Sequence, residues 1–202
     1  MKTIADHLDL TKCLEDAKTF HGGQCAGITI GTRMAILGLK AIGINDPKGK
    51  DRKDIIVFVE MDRCATDAIL AITGCHPGKR TMKILDYGKM AATFINVKTG
   101  KAVRVNAKNK DGNKVQTREE IEQNPHTDTY TMMPAEDLFD VTEVTVELKP
   151  EDMPGKPLRT ATCASCGERI MDMREVFRDG KILCRPCANR NFYYTPVAKS
   201  EL

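Results

Sequence analysis

The chain has 202 residues, 41% hydrophobic and 29% charged, with a formal net charge of +3. That composition suits one globular domain with a small appendage and excludes a disordered chain. A charge this close to neutral leaves no footprint for nucleic acid. The amino-terminal stretch MKTIADHLDLTKCLEDAKTF is amphipathic and lacks the apolar centre of a signal peptide. The longest apolar run, over 26–44, is interrupted by Arg33 and Lys40, so a membrane span is not expected. The expectation is a cytoplasmic protein whose eight cysteines stay reduced and serve metal binding or thiol chemistry before disulfides.

Leu8, Leu10, Leu14, Ala17 and Phe20 recur at helical spacing and predict an amphipathic helix over 5–20, ended by Gly22 and Gly23. Residues 26–43 predict a buried helix in which Gly31, Ala35 and Gly38 admit a close neighbour. DIIVFVEM (54–61) is a short β-branched run, as in a strand buried on both faces. MDRCATDAILAITG then turns to helical period, with Asp62 expected as N-cap and Gly74 as terminator. A strand over 82–88, a hairpin in AATFINVKTGKAVRVNA, a polar loop at KNKDGNK, a capping box of Thr117 and Glu120, and a strand over 141–149 follow. This order reads as an α+β domain over 1–150, a mixed sheet flanked by helices. The three prolines of KPEDMPGKPLRTAT mark residues 151–162 as a linker.

Residues 163–202 open with CASCGERIMDMREVFRDGKILCRPC. Two C-x2-C pairs stand seventeen residues apart around a predicted hairpin turning at Asp179-Gly180, and the second pair opens a short helix. Two thiolates two residues apart grip one ion from a tight turn, and two such pairs complete a tetrahedral site. The spacing predicts one structural zinc on Cys163, Cys166, Cys184 and Cys187 in a treble-clef-like finger. A redox dithiol is the alternative, but it belongs at a strand–helix junction that the first pair lacks. Four thiolates leave no open position, so the module is structural or recognises a partner. Its arginines alternate with Glu168, Asp172, Glu175 and Asp179, which disfavours nucleic acid.

A second candidate is His21, Cys25 and Cys64. Cys25 and Cys64 stand at predicted helix starts, where backbone N–H groups lower a thiol pKa, and His21 precedes Cys25 by four residues across two glycines. Two thiolates and an imidazole form a three-ligand set with a vacancy, the pattern of an open zinc site. The plainer alternatives are core packing for Cys64, as for Cys13, and a helix C-terminal cap for His21.

FHGGQCAGITIGTRMA, CATDAILAITGCHPGK and DYGKMAATF together resemble the E-subunit family of formylmethanofuran dehydrogenase, over about residues 15–150. The matching positions are His21, Gly22, Cys25, Gly27, Gly31, Arg33, Cys64, Asp67, Thr73, Gly74, Cys75, Gly78, Lys79, Asp86, Gly88 and Lys89. The resemblance implies a somewhat thioredoxin-like mixed-sheet core and a metal or active site at the His/Cys turn. Cys75, Lys79, Asp86 and Lys89 are then candidate pocket residues. It also implies a homodimer and a link to a molybdenum or tungsten oxidoreductase complex of methanogenic carbon metabolism. The family's second histidine is Gly23 here and its proline is Ala26. That departure points to a metal-free pocket of low-pKa thiols, with a second metal as the alternative. The functional expectation is an accessory or interaction protein of the oxidoreductase. The alternatives are an enzyme using metal or thiolate chemistry at the His/Cys pocket, and a nucleic-acid-binding finger protein. P-loop, G-x-S-x-G and deaminase motifs do not occur in the sequence.

Overall fold

The computed structural model describes residues 8–109, 117–123 and 127–195. Most of the polar loop expected at 108–114, and the first residues of the expected first helix, lie outside them. The chain divides into two compact units, Met1–Glu147 and Leu148–Leu202.

The first unit opens with helix α1 (Leu10–His21), capped by Asp9, whose side chain accepts from the backbone N–H of Lys12. It ends where Gly22 adopts the left-handed conformation, φ 86°. A residue with a Cβ is strained there, so the glycine sets the turn that follows. Helix α2 (Ala26–Ala41) is buried along most of its length. Strand β1 (Ile55–Val59) leads into helix α3 (Cys64–Thr73), which Gly74 closes in the left-handed region. The N-cap of α3 is Arg63 rather than Asp62, because the Arg63 carbonyl accepts the first turn's hydrogen bond from Thr66.

Strands β2 (Met82–Ile84), β3 (Ala91–Asn96), β4 (Ala102–Ala107) and β5 (Phe139–Glu143) complete a five-stranded sheet in the order β2-β1-β3-β4-β5. β1 pairs with β2 in parallel, Val57 opposite Met82, and with β3 antiparallel, Val57 opposite Phe94. The sheet is therefore mixed, and the β-branched run of β1 lies at its interior as its composition requires. β5 begins and ends earlier than the alternation in 141–149 indicates. The N–H of Val144 reaches the carbonyl of Ala102, the first residue of β4, and beyond it the partner strand offers no further ladder. The segment expected as a strand over 82–88 pairs only through Ile84, and the rest turns through Gly88 at φ 63°. Short helices α4 (Arg118–Glu122), α5 (Thr127–Met132) and α6 (Ala135–Leu138) fill the connection to β5. Thr117 and Glu120 form the expected capping box on α4.

Alternate residues of the strands, Val57 and Val59, Ala92 and Phe94, Val103 and Val105, face a core shared with Ile28, Met34, Leu39 and Ile69 from the helices. This period of two is what makes one face of a sheet apolar. Two glycines of α2 let backbones meet. A Cβ on Gly31 would sit 2.6 Å from the Cα and carbonyl oxygen of Ala65 in α3, and one on Gly38 would overlap the Phe94 ring. At the sheet's edge Glu60, 8% exposed, accepts two hydrogen bonds from Arg104, Nε to Oε1 at 2.7 Å and Nη2 to Oε2 at 2.8 Å. The Arg104 guanidinium holds the Glu60 carboxyl below its ordinary pKa.

In the second unit, residues expected as linker carry structure. Pro150–Asp152 form a 3-10 turn, and Thr160–Thr162 form strand β6 against β7 (Arg169–Met171). Strands β8 (Val176–Arg178) and β9 (Lys181–Leu183) make a hairpin across Asp179 and Gly180, both at positive φ. Helix α7 (Arg185–Asn189) follows, with Cys184 as its N-cap.

Candidate metal centres

In the second unit, each pair of cysteines lies on a turn fixed by backbone bonds. The Gly167 N–H bonds the Cys163 carbonyl, and the Ala188 N–H bonds the Cys184 carbonyl, 2.9 Å away. The β8–β9 hairpin delivers its pair beside the first. The four Sγ atoms of Cys163, Cys166, Cys184 and Cys187 lie within 4.8 Å of one another, and Cys166 and Cys184 are 3.9 Å apart. Four sulfurs about 2.3 Å from one zinc ion stand about 3.8 Å apart, so the donor set fits that metal. The Cys184 N–H donates to Cys163 Sγ at 3.3 Å. N–H groups of Cys166 and Cys184 pull the Cys163 thiol down to about 6, toward the thiolate that a metal requires.

In the first unit, α1 ends at His21, Gly22 turns the chain, and Cys25 becomes the N-cap of α2. Cys64 is the first residue of α3, which packs against both α1 and α2. Three helix ends thus meet, and one ligand atom each from His21, Cys25 and Cys64 fall within 4.8 Å of one another. All three residues are half-buried. Asp67 joins them. It lies one helical turn after Cys64, on the same face of α3, and its Oδ2 is 2.8 Å from His21 Nδ1. The spacing C-x-x-D on a helix was the sequence signal for this neighbour, although the sequence offers no reason to look for His21 beside it.

The expected low pKa at Cys64 is not found. Burial, then the adjacent Cys25, raise the Cys64 thiol above its ordinary value, and the Asp67 charge adds to the rise. The helix-start argument fails here because desolvation and neighbouring acids outweigh a few N–H dipoles. Two thiols and a carboxylate this close repel one another as anions. A dication among them removes that repulsion, and two sulfurs and an imidazole are donors that zinc accepts. The set therefore fits a zinc ion with one position left for another ligand.

The remaining candidates separate. Cys75 lies beyond the far end of α3, a helix of 10 residues and so about 15 Å long. It is 2% exposed, and burial pushes its thiol up to about 11. Lys79 follows it in a 3-10 turn at that end. Neither is brought to His21, Cys25 and Cys64, because α3 holds its two ends apart. Asp86 and Lys89 stand in the turn after β2, at the end of the sheet from which the chain enters α3. The Lys89 N–H bonds the Glu60 carbonyl at 3.0 Å, and its ammonium lies 6.0 Å from the Tyr87 ring centre.

Residues 20–140 match the family model described as FmdE, molybdenum formylmethanofuran dehydrogenase operon. Residues 156–191 match the prokaryotic dksA/traR C4-type zinc finger. A protein of Archaeoglobus fulgidus named a probable S-adenosyl-L-methionine-binding protein is 32% identical over 211 residues, covering 94% of this chain and 56% of its own length. The chain thus spans little more than half of that relative. A solved structure of an FmdE-like protein of tungsten formylmethanofuran dehydrogenase from Syntrophus aciditrophicus aligns with a TM-score of 0.58 at 23% identity, covering 92% of this chain and 95% of that one. At that identity the likeness concerns the fold. No helix among the described residues is long and apolar enough to cross a membrane. With its first unit matched by the family model and its second by a four-cysteine finger, the chain belongs to the FmdE family.

Proposed function

We propose that this chain is a zinc-binding accessory protein of a molybdenum or tungsten formylmethanofuran dehydrogenase system, presenting an open metal centre from its first unit. The convergence of His21, Cys25 and Cys64 at three helix ends carries this reading. The family's link to the dehydrogenase operon supports the choice of partner. Cys163, Cys166, Cys184 and Cys187 hold a closed zinc that fixes the second unit, whose small core calls for such a staple. In the first unit, Cys25 and Cys64 supply the two thiolates, and His21 supplies a neutral nitrogen. A zinc ion bound there offers one open coordination position to a donor from a small molecule or a partner. A homodimer in a cytoplasmic setting is part of the same reading.

A second reading, an enzyme in its own right, is favoured by the carboxylate set against His21, an arrangement common around metals that meet substrate. The name of the Archaeoglobus relative adds S-adenosylmethionine as a ligand to try.

Metal analysis of the purified chain tests the proposal. Two zinc ions per chain are expected, falling to one in Cys25→Ser and one in Cys184→Ser. One zinc in the unaltered chain, unchanged in Cys25→Ser, would remove the open centre. Retrieval of the tagged chain from cells making the dehydrogenase is expected to bring down its catalytic subunit. If that subunit stays behind and the two-zinc chain instead binds S-adenosylmethionine, with binding lost in Cys25→Ser, the enzyme reading replaces the accessory one.

A further inference from the structure

The bond between His21 and Asp67 has a direction that chemistry fixes. An ionised carboxylate has only acceptor sites, so at 2.8 Å the proton belongs to His21 Nδ1, which donates to Asp67 Oδ2. A neutral imidazole with its proton on Nδ1 carries its free lone pair on Nε2. The carboxylate therefore decides which nitrogen is available and fixes the plane of the ring.

The position of Asp67 on the chain strengthens the point. Cys64 and Asp67 share one face of α3, one turn apart, so a single rigid helix sets both a sulfur donor and the group that aims the histidine. His21 is the last residue of α1, followed by two glycines, and its own backbone does little to hold the ring. The pair is 27% and 44% exposed. An ion pair so exposed contributes little to folding, and its value to the protein must lie elsewhere.

We infer that Asp67 is a positioning residue for the open metal centre, holding His21 in the Nδ1–H tautomer with Nε2 directed to the metal. The inference rests on the metal-centre reading above. It concerns a residue outside the ligand trio, and it separates two roles on one helix: Cys64 gives a ligand atom, and Asp67 gives none. The same geometry explains how the site can work with Gly23 where the resembling family has a second histidine. The one imidazole that remains is pre-aimed, so binding a metal costs it little rotational freedom.

The test uses the full chain with its second-unit zinc in place. Zinc affinity of the first unit is read by competition with a chromophoric chelator, and the His21 tautomer by long-range proton–nitrogen NMR with and without zinc. Asp67→Ala is expected to weaken zinc binding about 10- to 100-fold, the range for partners of metal-bound histidines, with little change in melting temperature. Asp67→Asn, whose side-chain oxygen still accepts from Nδ1, is expected to recover part of the loss. In a His21→Ala background, Asp67→Ala is expected to change nothing further, since it acts through the ring. Metal-free wild-type protein is expected to show the Nδ1–H tautomer, and Asp67→Ala a mixture. Unchanged affinity in Asp67→Ala, an equal loss in the His21→Ala background, or an Nε2–H tautomer in wild type would each overturn the inference. Absence of first-unit zinc from wild type, with the Nδ1–H tautomer intact, would instead overturn the metal-centre reading on which it rests.

Discussion

A Cβ built on Gly27 would lie 3.0 Å from the Cβ of Cys64 and 3.7 Å from the Sγ of Cys25. Both candidate sulfur ligands therefore crowd the same missing side chain. Glycine in the first turn of α2 is what allows the start of α3 to come close enough for two thiols to share one ion. Four positions later Gly31 repeats the device against Ala65, where the obstacle is backbone rather than a side chain.

The two glycines should fail differently. Gly27→Ala pushes Cys64 by a few tenths of an ångström, so first-unit zinc affinity is expected to fall at least tenfold while the melting temperature moves little. Gly31→Ala forces α2 and α3 apart, and overpacking of this kind costs about 1–3 kcal/mol or more. Chelator competition and thermal denaturation on both variants check the contrast, and equal thermal losses would contradict it.

Gly23 is open to a larger side chain. Its φ lies outside the left-handed region, and a Cβ there meets nothing within 4 Å, whereas Gly22 carries the positive φ of the turn. Gly23→His is expected to keep the fold and to tighten first-unit zinc by at least about tenfold, through a new ligand or a new partner for one. The gain should vanish when Cys25 is also changed to Ser. Gly22→His should instead destabilise the chain by roughly 1 kcal/mol without tightening zinc, because it strains the helix terminus.

Loss of one sulfur should separate the two units. Cys184→Ser removes a zinc ligand and the N-cap of α7 at once. Amide exchange is expected to show unprotected backbone over β6–β9 and α7, with β1–β5 still protected. Retention of stoichiometric second-unit zinc in this variant would contradict the four-thiolate assignment.

Glu60 gives the pH prediction. Its folded-state pKa is depressed, first by the hydrogen bonds from Arg104, so the stability it contributes is present above its unfolded value and disappears as pH falls through the folded value. Glu60→Gln is expected to cost roughly 2–3 kcal/mol at pH 7. That is below the figure for a fully buried pair, because Arg104 still reaches water. Below about pH 4, where the wild-type carboxyl is itself protonated, the difference between the two proteins should shrink. A constant difference from pH 3 to 8 in urea denaturation would mean that the pair contributes through shape alone.

Features governed by neighbours along the chain were legible in the sequence. Cysteine spacing announced the second-unit cluster, because a C-x2-C pair makes its own turn. Glycines at 22 and 74 announced helix ends, and the small residues of α2 announced close packing, because each acts through its own backbone or missing side chain. His21, Cys25 and Cys64 were legible as three groups at predicted helix ends. Everything else waited on the assembled fold. His21 and Asp67 are 46 residues apart, and Glu60 and Arg104 are 44 apart; no local rule relates such residues. The packing of α1 against α3 makes the first pair, and the β1-β3-β4 order makes the second. The rigidity of α3 also sent Cys75 and Lys79 away from the site while keeping Cys64 in it. The crowding that raises the Cys64 thiol exists only once three helix ends have met.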